Sequence, residues 1–162
     1  MANKVYAAPE TAISFKSSGG DVTFTPTSVA NGAGRISAQW DRGTGSKPMR
    51  YKWRAKTKAG AALAVGTQLE IYFSTSDGTI QDGNQSTSDA AFAAGDKRRN
   101  LQPVGVIEAD STSNGEPQYA SGVVWIFDRY VSVVWWNALG QALSGTAGDH
   151  EFTLTAVPDE VQ

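Results

Sequence analysis

The stretch GVVWIFDRYVSVVWWNALG, residues 122–140, decides how this chain is read. It holds three of the five tryptophans, and its apolar residues do not alternate with polar ones. On an extended backbone, Val123, Trp125 and Phe127 fall on one face and Val124 and Ile126 on the other. Arg129 and Tyr130 turn the chain. Beyond them, Val131, Val133 and Trp135 share a face, and Val134 and Trp136 share the opposite one. A strand in a two-layer sandwich needs only one apolar face. Three readings fit the surplus face. The strands are covered on both sides, or aromatic side chains meet another subunit, or indole rings form a platform for sugars. Large apolar patches are rare on a lone soluble protein, which favours a partner. On the partner reading Trp125, Arg129, Tyr130, Trp135 and Trp136 form the interface, with one of Trp135 and Trp136 facing outward.

The segment PMRYKWRAKTK (48–58) is a contrast, because it alternates cleanly. Met49, Tyr51, Trp53, Ala55 and Thr57 share one face. Arg50, Lys52, Arg54, Lys56 and Lys58 share the other, with like charges roughly 7 Å apart. Such a row needs cross-strand acids, solvent or a partner. It reads as a solvated or edge strand guarded by lysines, or as a contact for an acidic protein surface, with nucleic acid less favoured. Tyr51 and Trp53 face away from the charges, so they are core candidates rather than base-stacking platforms.

Further segments read as strands between Gly, Ser, Asn and Asp clusters: 11–16, 21–27, 34–40, 67–76, 101–110, 121–127, 131–137 and 149–158. The segment 101–110 carries a kink or bulge at Pro103 or Gly105. The total is about nine strands with little helix, the one helical candidate being 88–99, with Ser88 as its N-cap and Gly95 as its stop. The whole chain, 1–162, reads as one all-β domain: an antiparallel two-sheet sandwich, jelly-roll-like, with a closed barrel as the next choice. Residues 77–100 and 110–122 are long polar loops of the kind that carry function or move.

Composition narrows the chemistry. There are no cysteines and one histidine, so thiol chemistry and soft-metal sites are excluded. The 14 basic and 16 acidic residues give a net charge of −2, unlike a nucleic-acid-coating protein. The opening residues MANKVYAAPETAISFK have no continuous apolar run, so no secretory signal is expected. The apolar runs are far shorter than the roughly 20 residues that span a bilayer. No membrane association is expected, and synthesis in a cytoplasm is.

No catalytic constellation stands out. His150 lies between Asp149 and Glu151 but has no marked nucleophile, and reads as a hydrogen-bonded histidine at a strand entry. Asp77, Asp82 and Asn84 could offer oxygen ligands, yet their spacing is that of two Asp-Gly turns. GTGSKP (43–48) lacks the phosphate-loop spacing and reads as a hairpin turn. No enzyme and no cofactor are expected.

Several blocks carry a resemblance. GRISAQWDRGTGS (34–46), RYKWRAKT (50–57), IYFSTSDGT (71–79), DKRRNLQPVGVI (96–107), RYVSVVWWNALGQALS (129–144) and LTAVPDEVQ (154–162) resemble small virion structural proteins of tailed bacteriophages, over most of the chain. The resemblance implies a non-enzymatic virion role, most simply a capsid decoration or stabilising protein. Such a protein would be made in the host cytoplasm and would bind copies of itself, with a trimer favoured, and a major capsid or other virion protein. A tail or adaptor component is the alternative. A carbohydrate-binding module for host attachment, with a glycan as ligand, is the reading from another class.

Overall fold

The computed structural model describes residues 5–84, 86–92, 95–110, 112 and 115–161. Thirteen strands run through them: β1 (Val5–Ala7), β2 (Ile13–Lys16), β3 (Val22–Thr23), β4 (Ala33–Ile36), β5 (Trp40–Asp41), β6 (Arg50–Lys58), β7 (Gln68–Ser76), β8 (Ala90–Phe92), β9 (Gln102–Glu108), β10 (Pro117–Trp125), β11 (Tyr130–Ala138), β12 (Glu151–Ala156) and β13 (Asp159–Val161). All nine expected strands are present. The additional ones are β1, β8, β13 and β5, which splits from the expected strand 34–40. Only short 3-10 turns, at Asp82–Asn84, Gly95–Asn100 and Ala147–Asp149, are helical among the described residues.

The first sheet has the order β10-β6-β12-β2-β3, and the second β8-β4-β11-β7-β9 with β5 beside β11. The eight main strands are β2, β4, β6, β7, β9, β10, β11 and β12. They pair first with last and so inward: β2 with β12, β4 with β11, β6 with β10, and β7 with β9, all antiparallel. This is one long hairpin rolled upon itself, and its two sheets are those of a jelly roll. It stays a sandwich rather than a closed barrel, because β9 and β10 lie side by side without a backbone ladder. The terminal strands β1 and β13 pair with each other in a separate two-stranded ribbon.

The core lies between the sheets and follows the period-two pattern. Tyr51, Trp53 and Ala55 of β6, Leu69, Ile71 and Phe73 of β7, Val131, Val133 and Trp135 of β11, and Phe152 and Leu154 of β12 all point inward. Burying each large side chain contributes roughly 1.5–3 kcal/mol. The Trp53 and Phe152 rings stack, while Phe24 meets Trp135 edge-on at 5.0 Å between centroids. The expected irregularity in β9 is a bulge. Ile71 pairs with Gly105 and Tyr72 with Pro103, so Val104 is the extra residue.

Four local expectations are corrected. The helix at 88–99 does not form: Ala90–Phe92 is strand β8, paired with β4, and the helical turn starts only at Gly95. The segment 77–100 is not a plain open loop: its Phe92 and Arg98 pack on Trp136 at the outer face of the second sheet. The loop 110–122 is shorter than expected, because β10 already begins at Pro117. Residues 43–48 are not a hairpin turn, since β5 belongs to the second sheet and β6 to the first, and the segment crosses between them.

Candidate protein-docking face

Residues directly opposite in an antiparallel ladder share a face. On the first sheet, Trp125 pairs with Arg50, Val123 with Lys52, Ser121 with Arg54, and Tyr119 with Lys56. On the other flank of β6, Thr155 pairs with Lys52, Thr153 with Arg54, and Glu151 with Lys56. The outer face therefore has an aromatic and aliphatic row on β10, a cationic row on β6 and a hydroxyl row on β12. Eight large apolar side chains are exposed among the described residues, and four of them, Tyr119, Val123, Trp125 and Phe127, stand in the β10 row and its extension. The local cause is strict alternation. Val124 and Ile126 take the buried positions and leave the odd-numbered residues outside.

The cations are not equivalent. Arg50 Nε donates to the Val157 carbonyl at 3.2 Å, and Lys56 Nζ to the Gly148 carbonyl at 2.7 Å. Lys58 Nζ lies 3.9 Å from Asp149 Oδ2. Lys52 and Arg54, both exposed, have no carboxylate or carbonyl partner among the described residues. The edge-strand reading of this row does not hold, because β6 is paired on both sides.

The other half of the expected interface lies elsewhere. Trp135 is in the main core at 1 % exposure and Trp136 is only 9 % exposed. The expectation that one of them faces outward is corrected, and the cause is the 77–100 segment. Trp136 belongs to a second apolar cluster with Ile36, Phe92, Leu101 and Val134 on the outer face of the second sheet. Phe92 meets it edge-on, and the Arg98 guanidinium lies over its ring at 4.7 Å. Arg98 is held there by Glu70 at 3.4 Å. Glu70 also accepts the Tyr72 hydroxyl at 2.6 Å. Burial, followed by this carboxylate, pushes the Tyr72 phenol up to about 12. The chain thus covers β11 on both faces with its own residues.

Arg129 and Tyr130 sit apart from the β10 row. Arg129 grips Asp41 through two hydrogen bonds of 2.7 and 2.6 Å, and its guanidinium lies over the Tyr130 ring at 4.7 Å. That hydrogen bonding, with the Gly43 amide, brings the Asp41 carboxyl down to about 2. The pair pins β5 to the start of β11. Nearby, the buried Arg42 has no such acid among the described residues. Its guanidinium donates to the Tyr51 hydroxyl at 3.2 Å and to the carbonyls of Ile126 at 3.2 Å, Asp128 at 2.6 Å and Pro48. It ties the sheet-crossing segment to the β10–β11 turn, a role that no spacing in the sequence marks.

His150 is buried, as a hydrogen-bonded histidine at a strand entry should be. The Ser144 carbonyl, 2.9 Å from Nε2, can only accept, so Nε2 carries the proton. The Thr57 hydroxyl then donates to Nδ1 at 3.0 Å. Burial pushes the imidazole below its ordinary value, against the pull of the Ser144 carbonyl and Asp149. Ser144 Oγ donates to Asp149 at 2.6 Å, so serine, histidine and aspartate are neighbours without a nucleophile-to-base hydrogen bond. Asp77 Oδ1 accepts the amides of Thr79 and Ile80, while Asp82 Oδ2 accepts the Thr75 hydroxyl and amide. Asp77 thus caps its own turn, while Asp82 ties its turn back to β7.

A sugar platform needs two or three exposed indoles. Trp125 is 49 % exposed, whereas Trp53, Trp135 and Trp136 are buried and Trp40 packs edge-on against Phe15 and Tyr51. Tyr119 lies outside the expected strand 121–127, because β10 begins four residues earlier, at Pro117. The alternation Pro117, Tyr119, Ser121, Val123 is the signal that could have found it. No family model matches the chain, and no curated protein matches it significantly.

Proposed function

We propose that this chain is a non-enzymatic bacteriophage virion protein, a decoration or stabilising subunit that attaches to a capsid shell through the outer face of its first sheet. The observation that carries this is the exposed row Tyr119, Val123, Trp125 and Phe127 on a sandwich that otherwise covers its apolar faces. Buried aromatic anchors dominate most protein interfaces, and a soluble domain keeps such a row exposed at a risk of aggregation. The self-covered second sheet supports the assignment of binding to the first. The sequence resemblance supplies the virion setting. On this reading the protein associates with further copies of itself, a trimer being favoured, and with the shell.

The test is co-sedimentation of the purified chain with heads of the parent phage assembled without it, together with its mass in solution. Saturable binding to heads is the expected result. Binding to isolated tails and not to heads assigns it instead as a tail or adaptor component. Binding to neither overturns the reading.

A further inference from the structure

The naked centre of the cationic row points to a more specific partner. We propose that the face formed by β10, β6 and β12 docks an extended acidic segment of a second protein, with two carboxylates over Lys52 and Arg54 and an apolar side chain against Trp125. This rests on the reading of the chain as a subunit that attaches to a larger assembly.

The argument begins with what the fold does to the rest of the row. Arg50, Lys56 and Lys58 are engaged by the Val157 carbonyl, the Gly148 carbonyl and Asp149. Glu151, the one acid in the flanking rows, sits opposite Lys56 and 3.7 Å from Lys16. The neighbours of Lys52 are Val123 and Thr155, and those of Arg54 are Ser121 and Thr153. None of these four can neutralise a cation. Two like charges about 7 Å apart on one strand repel. Guarding an open edge does not account for them, because both edges of β6 are paired. The free protein thus carries a small electrostatic penalty beside an exposed indole.

An acidic partner removes that penalty on binding. Alternate residues of an extended chain are also about 7 Å apart. A segment lying along β6 therefore matches Lys52 and Arg54 with acids two positions apart. The next alternate side chain reaches the level of Arg50, whose neighbour across the ladder is Trp125. The pattern is apolar-x-acid-x-acid. The hydroxyls of Thr153, Thr155 and Ser121 flank the same track and offer hydrogen bonds to its backbone or carboxylates. Nucleic acid fits less well, since this face has only two cations without a partner among the described residues, in a chain of net charge −2, and they give few phosphate contacts.

The test uses three probes at low and high salt: a synthetic peptide with the core Phe-Ser-Glu-Ser-Glu, the same peptide with Gln for Glu, and a short single-stranded DNA. The readout is protection of Trp125 from acrylamide. Trp125 is the most exposed of the five tryptophans, and Trp125→Phe identifies its share of the signal. The acidic peptide is expected to protect Trp125, and to bind about tenfold or more weakly to Lys52→Ser/Arg54→Ser and at high salt. No protection, equal protection by the Gln peptide, or tighter binding of the DNA overturns the proposal. Co-sedimentation with heads separates the two claims. If the wild-type chain does not bind heads, the virion reading falls. If Lys52→Ser/Arg54→Ser binds heads as tightly as wild type, the virion reading stands and the acidic docking mode falls.

Discussion

Gly122 and Trp53 face each other across the β10–β6 ladder, and the indole occupies the space that a side chain at Gly122 would need. A Cβ on Gly122 would lie 2.8 Å from the indole Nε1, and one on Gly105 2.5 Å from its Cζ2. The ring is thus clasped between β10 and β9 where the two sheets approach without a ladder. Gly122→Ala is expected to destabilise the fold by about 1–3 kcal/mol through overpacking. Trp53→Phe, added to it, should recover part of the loss, which chemical denaturation of the single and double variants will show as a non-additive pair.

The two adjacent tryptophans of β11 should behave alike, although they point to opposite faces. Trp135→Ala and Trp136→Ala are each expected to cost about 3–5 kcal/mol. Trp125→Ala should change stability by about 0.5 kcal/mol or less. A midpoint shift for Trp136→Ala as small as that for Trp125→Ala would mean that the 77–100 segment does not cover the second sheet.

Arg42 should prove indispensable to the crossing between the sheets. Arg42→Ala leaves the Pro48, Ile126 and Asp128 carbonyls without their donor. The expected loss is about 2–5 kcal/mol. Arg42→Lys should recover only part of it, because one ammonium lacks the spread of the guanidinium fork. Thermal melting of the two variants beside wild type checks this order.

His150 gives stability a pH dependence. Its folded-state value is lowered below the ordinary 6.5 by burial, so on acidification the unfolded chain takes up the proton first. Its contribution is complete above about pH 6.5 and is lost as pH falls from there towards the folded value. Asp41, Asp21, Asp77 and Asp89 are all lowered carboxylates and act in a more acidic range. Denaturation between pH 7 and 5 should therefore show falling stability, and His150→Gln should flatten that fall.

The cationic row should reveal itself by the opposite sign. Neutralising Lys52 and Arg54 removes repulsion and, among the described residues, no internal bond. Lys52→Ser/Arg54→Ser is expected to be as stable as wild type or more stable by about 0.2–1 kcal/mol. A clear loss in a melting experiment would mean that the two cations serve the fold.

The sheets were legible in the sequence because their cause is local. Period-two alternation in 50–58 and 68–76 marked which residues turn inward, whereas the double-sided apolar run of β11 fitted a covered strand or a subunit contact alike, and only the sheet order puts β11 between β4 and β7. The jelly-roll roll-up was legible as a class, while its exact pairing depends on ladders between residues as distant as Phe15 and Phe152. The cover over Trp136 was hidden because Phe92 and Arg98 lie in a polar stretch with no period of its own. The candidate site was half legible. Trp125 and the charges on β6 stood out, but the identity of the two unpaired cations depends on carbonyls at Gly148 and Val157, and carbonyls leave no mark in a sequence.

Hydroxyl-radical footprinting of the free and head-bound chain tests the central claim most directly. Tyr119, Trp125 and Phe127 are oxidisable and exposed on the proposed face, while Val65 and Ile80 are exposed outside the β10 row. The account predicts that binding protects Tyr119, Trp125 and Phe127 and leaves Val65 and Ile80 as reactive as before. Equal reactivity of the three aromatic residues in both states, or protection confined to Val65 and Ile80, would contradict it.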